Sequence, residues 1–153
     1  MVRDKRPSCP QAAEEGGNVA NLDLRMPEEE LERLRDRYRE LIGFVPPRIQ
    51  ARTDLLARLD PETLRLQEEL RARLMYPSCF DVKTAQLMLF GMLLMDLSDA
   101  ARLHAIAARR AGATYEELNA VVGLAFLFRG LPAANRGAEV IQEIRRMEEE
   151  GRL

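Results

Sequence analysis

The sequence predicts an all-α fold of six or seven helices, and three observations lead to that prediction. Apolar residues recur at three- and four-residue spacing through the amphipathic segments, which is the period of a helix face. No segment shows the alternation of apolar and polar residues that is typical of a half-buried strand. Two stretches, 87–95 and 120–128, are apolar on every side, which indicates core helices that also meet a partner subunit.

The first part of the chain divides into a tail and a helix. Residues 1–25 are rich in Pro, Gly, Glu and Asn and lack apolar periodicity, so we expect a mobile tail before one helical domain over 26–153. The first helix starts at Pro27, a residue suited to a first turn, and three glutamates follow it at the positive end of the helix dipole. Gly43 is typical of a helix end.

Two further helices follow the turn that contains Pro46. Pro47 opens a helix that extends to about Leu59, and Asp60 caps a third helix that reaches about Met75. This third helix is predicted to be mostly amphipathic, with an apolar face formed by Leu64, Leu66, Leu70 and Leu74.

The second half of the chain carries the clearest helix boundaries. Asp81 is a suitable cap for the first apolar helix, and Ser98 for the helix that follows it. Thr114 and Glu117 form a capping box, so another helix begins there and extends to about residue 128. Gly130-Leu-Pro132 interrupts it, and a last helix leads to the acidic end of the sequence.

Composition excludes several classes of function. A net charge of -2 gives no basic surface of the kind that binds nucleic acid. Nine consecutive apolar residues, 87–95, are too few to span a bilayer, and the start of the sequence does not resemble a signal peptide, so we expect a cytoplasmic protein. Cys9 and Cys79 are isolated, which predicts neither a disulfide framework nor a metal site.

The candidates for chemistry are a histidine and two arginines. His104, the only histidine, has alanines one turn before and after it, which leave room for a ligand or for another helix. A packed core histidine is the alternative. Arg129 ends an apolar helix, where it is paired, solvated or bound to an anion. Asn135 and Arg136 are expected in the first turn of the last helix, where backbone N–H groups favour a carboxylate.

Three motifs together resemble the carboxymuconolactone decarboxylase and alkylhydroperoxidase D-like superfamily. They are Lys83-Thr-Ala-Gln-Leu, His104 followed by Ala111-Gly-Ala-Thr-x-Glu-Glu, and Gly130-Leu-Pro-Ala-Ala-Asn135. The resemblance implies the all-helical fold of that superfamily. It also implies assembly into a homotrimer or homohexamer through the core helices.

The sequence departs from the peroxidase branch of that superfamily. That branch uses a C-x-x-C-x-x-x-His motif, and its two cysteine positions hold Leu97 and Ala100 here. The position of its upstream glutamate falls on Ala85 or Gln86. Peroxide reduction through a disulfide needs both thiols, so these departures argue against a thiol peroxidase.

The decarboxylase branch is the more similar one, since it also lacks the cysteine pair and keeps the histidine. It implies a cofactor-free lyase of aromatic compound catabolism, acting on a small carboxylated lactone or keto acid, with no metal. His104 is the expected acid–base group, titrating near neutrality, and Asp99 is the nearest substitute for the acidic residue of the branch. Arg129, Asn135 and Arg136 are expected to bind substrate. An isomerase or tautomerase, and a non-catalytic helical scaffold, remain the alternatives.

Overall fold

The computed structural model describes residues 22–153, and over that range it contains seven α-helices and no strand. The prediction of an all-α fold is therefore confirmed. Residues 1–21, with Cys9 and most of the expected tail, lie outside the described part of the chain. The helices are α1 Glu28–Ile42, α2 Pro47–Leu59, α3 Pro61–Met75, α4 Val82–Met95, α5 Ala101–Arg110, α6 Tyr115–Arg129 and α7 Leu131–Glu149.

Most helix ends lie where the local sequence predicts them. Gly43 follows α1 with φ 96°, a left-handed conformation that glycine adopts without steric cost. The carboxylate of Asp81 accepts a hydrogen bond from the backbone N–H of Thr84 at 2.7 Å. At the start of α6, Thr114 and Glu117 form the complete capping box, with bonds of 3.1 and 2.7 Å.

The start of α5 differs from the prediction. The helix begins at Ala101 rather than directly after Ser98, because α4 ends in a Schellman turn that uses the intervening residues. In this turn Leu97 has a left-handed φ of 54°, and the backbone N–H of Ser98 donates to the carbonyl of Leu93 at 2.9 Å. Ser98 still contributes a hydroxyl that accepts from the N–H of Ala100 at 3.3 Å.

The start of α7 also corrects an expectation. The helix begins at Leu131, so Asn135 and Arg136 lie in its second turn and not at its exposed N-terminus. The N–H groups of Ala133 and Ala134 donate to the carbonyl of Gly130. The expected place of Asn135 and Arg136 in the first turn of the last helix is therefore corrected to the second turn.

The main core lies among α4, α5, α6 and α7. Its fully buried large side chains include Phe90, Leu94, Ile106, Leu118 and Ile144. At Gly137 the helices α6 and α7 approach so closely that a Cβ atom would lie 2.5 Å from a methyl of Val122. Glycine at this position therefore allows α6 and α7 to pack closely.

Several apolar residues expected in the core face outward. Of the four leucines expected on one face of α3, only Leu64 is buried, whereas Leu66, Leu70 and Leu74 are exposed. The all-round apolar helices α4 and α6 are buried on one side, but between them runs an open groove of large apolar side chains: Met88, Met92, Met95, Leu124 and Phe128. In residues 22–153 no helix has the length and apolarity to cross a membrane.

Candidate active site

His104 lies on the wall of a cavity of about 580 Å³. The cavity is enclosed by the end of α1, the turn before α2, the last turns of α3, the start of α5 and one face of α7. Its lining is apolar in part, from Leu41, Ile42, Pro47, Ile49, Met75 and Leu103. Its charged lining residues are Arg48, Arg71, Asp99, Arg102, Arg136 and Glu143. The cavity therefore combines apolar walls with an excess of arginine.

The imidazole of His104 is held by a buried amide. Its Nδ1 lies 2.8 Å from Oε1 of Gln86, a fully buried residue of α4. The amide nitrogen of Gln86 donates to the sulfur of Met75 at 3.5 Å, so the amide oxygen is the atom that faces the ring. An oxygen without a proton can only accept, hence Nδ1 carries the hydrogen and Nε2 is the basic nitrogen. Of the two positions considered for the family glutamate, Gln86 is the one in contact with His104.

The His104 ring is a weaker base than a histidine in water. Burial, together with the positive charge of Arg71, lowers its pKa to about 4. This pKa lies below the near-neutral value expected from the sequence. A ring with this pKa is uncharged at neutral pH and can accept a proton.

Arg71 was not among the predicted site residues. Its guanidinium stacks on the ring of Tyr38, 3.9 Å from the ring centre, and its Nε donates to Glu68 at 3.0 Å. The signal was present in the sequence: Leu64, Glu68, Arg71 and Met75 share one face of α3 at helical spacing. In the structure Leu64 and Glu68 on this face are fully buried, and Arg71 is 18% exposed.

Glu68 holds the guanidinium of Arg71 in place through an ion pair. Its side chain is fully buried, accepts from the hydroxyl of Tyr38 at 2.7 Å, and pairs with both Arg52 and Arg71. Burial alone would raise the pKa of Glu68, but the bonds from Arg52 and Tyr38 and the charge of Arg71 outweigh it and lower the pKa. Burial of the Tyr38 side chain, together with its hydrogen bond to Glu68, raises the pKa of Tyr38 to about 12. Glu68 is thus an anion and Tyr38 a neutral donor at neutral pH.

Asp99 and Arg136 are the predicted site residues that the structure places with His104. Both line the cavity. The carboxylate of Asp99 bridges two arginines, at 2.8 Å from Arg136 and 3.1 Å from Arg48. Arg102 pairs with Glu143, and both residues also line the cavity. Asp99 therefore has arginine partners on both oxygens and no described contact with the histidine.

Arg129 and Asn135 do not line this cavity. Arg129 is the last residue of α6, and its Nε donates to the carbonyl of Met95 at the end of α4, at 3.0 Å. The chain turns at Gly130, which has φ 76°. Asn135, on the following helix α7, is exposed and is not among the residues that line the cavity. Among residues 22–153, Arg129 forms no ion pair with a carboxylate, and of the three states expected for it the structure shows a bond to a backbone carbonyl instead. Among residues 22–153, no group of three His, Cys, Asp or Glu side chains is arranged to hold a metal ion.

The fold and this site define a class of protein, an all-α domain with a single, partly buried histidine on the wall of an arginine-lined cavity. The model of the carboxymuconolactone decarboxylase family matches residues 61–143, more than half of the 153 residues. The chain belongs to that family, which confirms the resemblance seen in its sequence motifs. No curated protein and no solved structure matches the chain.

Proposed function

We propose that the protein is a cofactor-free acid–base enzyme acting on a small carboxylated lactone or keto acid in the cavity beside His104. The observation that carries the proposal is the pairing of His104 with Gln86, which leaves Nε2 as a neutral base in a cavity rich in arginine. A cavity of about 580 Å³ is within the usual size range for small-molecule sites.

Decarboxylation of the carboxymuconolactone type is the reaction that family membership favours. The bond between the leaving carboxylate and its carbon breaks, and the electron pair passes into an enolate. Arginines of the cavity stabilise that negative charge. His104 then takes a proton from solvent and delivers it to carbon. In this scheme Asp99 holds Arg48 and Arg136 in place, and Arg129 and Asn135 have no role within the single chain.

A proton-shift isomerase is the second candidate, and one observation favours it. The lowered pKa of His104, about 4, keeps the ring unprotonated at neutral pH. A neutral base removes a proton from the carbon beside a carbonyl, and the resulting imidazolium returns it at another carbon. This sequence of steps needs no carbon dioxide loss.

Turnover of a defined panel in heavy water tests the proposal. Lactones, keto acids and muconate derivatives are followed for carbon dioxide release and, by NMR, for deuterium incorporation. We expect turnover with one of them and a loss of at least about 100-fold in His104→Gln, which lacks the basic nitrogen. Light scattering and circular dichroism of His104→Gln establish that its fold and mass are unchanged. Undiminished turnover in His104→Gln, or no reaction with any compound, contradicts the proposal.

We also propose that the working form is a homotrimer or homohexamer. The groove between α4 and α6 supports this, because its residues Phe128 and Leu124 are 81% and 64% exposed. Large contiguous apolar surfaces of this kind mark sites of protein association.

A further inference from the structure

The guanidinium of Arg71 has only part of its hydrogen-bonding capacity used within the described chain. Its Nε donates to Glu68, whereas its Nη2 is shielded from solvent and has no hydrogen-bond partner among residues 22–153. A buried donor without an acceptor costs about 1–3 kcal/mol. It is the one buried side-chain nitrogen or oxygen of the described residues in that condition. Because Nη2 is shielded from the cavity that Arg71 lines, an acceptor in the cavity reaches it only after the side chain of Arg71 turns toward that space.

The neighbouring acids do not supply that acceptor, because each has other partners. Asp99 is bound by Arg48 and Arg136, and Glu143 pairs with Arg102. Glu68 already meets Arg71 through Nε. With Nε bonded to Glu68, a turned guanidinium presents the edge formed by Nη1 and Nη2 to a planar anion in the cavity.

We propose that Arg71 binds the carboxylate of the small-molecule ligand through this edge and holds it beside His104. The inference rests on the proposed function for the chemistry after binding, and it names the group that anchors the substrate. Arg71 replaces Arg129 in that role. Arg–carboxylate pairs of this type are bidentate and charge-assisted, which gives them both strength and a defined orientation.

Binding at Arg71 changes the histidine as well. Burial and the positive charge of Arg71 lower the pKa of His104. A carboxylate on Arg71 offsets that charge, so His104 becomes more basic when an acidic ligand is present. The other charged or titratable groups around the cavity are Tyr38, Arg48, Asp99, Arg102, Arg136 and Glu143. The arginines among the last five are paired with Asp99 or Glu143, and Tyr38 stays neutral.

The single histidine makes the test direct. His104 gives the only imidazole signals of the chain, so an NMR pH titration reports its pKa without assignment. The titration is run with the full-length protein alone, with benzoate, and with benzamide, which matches benzoate in shape but has no charge. We expect saturating benzoate to raise the midpoint by about one pH unit and benzamide to leave it within about 0.2 unit.

Two variants on α3 locate the effect. Arg71→Met should remove the benzoate-dependent shift and weaken benzoate binding at least about tenfold, the loss expected for one charge-assisted pair. Arg73→Met, at an exposed position of the same helix, should retain both. A benzoate shift that persists in Arg71→Met, or that disappears instead in Arg136→Met, overturns the proposal.

The removal of Arg71 leaves Glu68 without one partner, so a second comparison covers a variant that does not fold. Arg71→Lys keeps the positive charge but loses the planar fork. It should bind benzoate more weakly than the wild type while still distinguishing it from benzamide. Equal binding of benzoate and benzamide by the wild type contradicts the proposal without any variant.

The two proposals fail in different ways. If benzoate binding depends on Arg71 but the protein is inactive on every compound of the panel, the proposed enzymatic function is refuted and the proposed carboxylate site is retained. If turnover depends on His104 but benzoate binding does not depend on Arg71, the proposed function is retained and the proposed role of Arg71 is refuted.

Discussion

The buried carboxylate of Glu68 should be a major source of stability, and replacing it with glutamine tests this. In Glu68→Gln the amide oxygen still accepts from Tyr38, but Arg52 and Arg71 lose a charged acceptor. Hydrogen bonds to charged groups stabilise by about 1.5–3 kcal/mol and neutral ones by about 0.5–1.5 kcal/mol, so the two bonds together lose about 2 kcal/mol. Arg52 is 34% exposed and regains water, whereas Arg71 is only 18% exposed. Leaving that buried cation without its partner brings the expected loss to about 3 kcal/mol.

Urea unfolding at pH 7 and equal protein concentration measures this loss, with Glu69→Gln as the matched control. Glu69 is the next residue of α3 and is exposed, so its replacement should change the free energy of unfolding by less than about 0.5 kcal/mol. The pKa of Glu68 is lowered by folding, so its contribution is full above the unfolded pKa of about 4.3 and is lost as the pH falls through the folded value. The gap between wild type and Glu68→Gln should therefore narrow in acid. A gap below about 1 kcal/mol at pH 7 refutes the reasoning.

Three further predictions concern His104, assembly and redox chemistry. By NMR, the His104 imidazole should titrate in the free protein with a midpoint near pH 4. The unfolded chain then takes up the proton at a higher pH than the folded protein, so the free energy of unfolding should decline as the pH falls from about 6.5. A midpoint at or above about 6.5 contradicts this prediction. Light scattering at micromolar concentration should give the mass of a trimer or hexamer, and Phe128→Glu should lower it, whereas a monodisperse wild-type monomer rules the assembly out. With Leu97 and Ala100 in the cysteine positions, peroxide consumption with a thiol reductant should equal the blank; turnover that is lost in Cys79→Ser would restore the peroxidase interpretation.

Helix ends were predictable where the capping signal is local. Asp81 and Thr114 bind backbone groups only three residues away, so the sequence contains all of the information. The start of α5 was not, because the left-handed turn at Leu97 consumes residues that a serine cap at Ser98 does not reveal. Leucine, unlike glycine, gives no sign that it will adopt a positive φ.

The site was only partly predictable, because it depends on contacts between distant segments. His104 was found as the only histidine, but its partner Gln86 is 18 residues away on another helix. Arg71 was missed because the leucine pattern of α3 predicts a buried face at Leu66, Leu70 and Leu74, which are exposed. Which face of a helix is buried depends on the neighbouring helices, and α1 and α2 cover the face with Glu68 and Arg71.

The cavity is assembled from two parts of the chain with different relations to the family. His104 and Arg71 lie within the matched residues 61–143, whereas Leu41, Pro47 and Arg48 on the opposite wall precede them. The matched region thus supplies the histidine and the arginine, and the segment before it supplies another part of the cavity lining. Substitutions at Leu41, Pro47 or Arg48 should therefore change which compounds fit the cavity while leaving His104 and Arg71 in place.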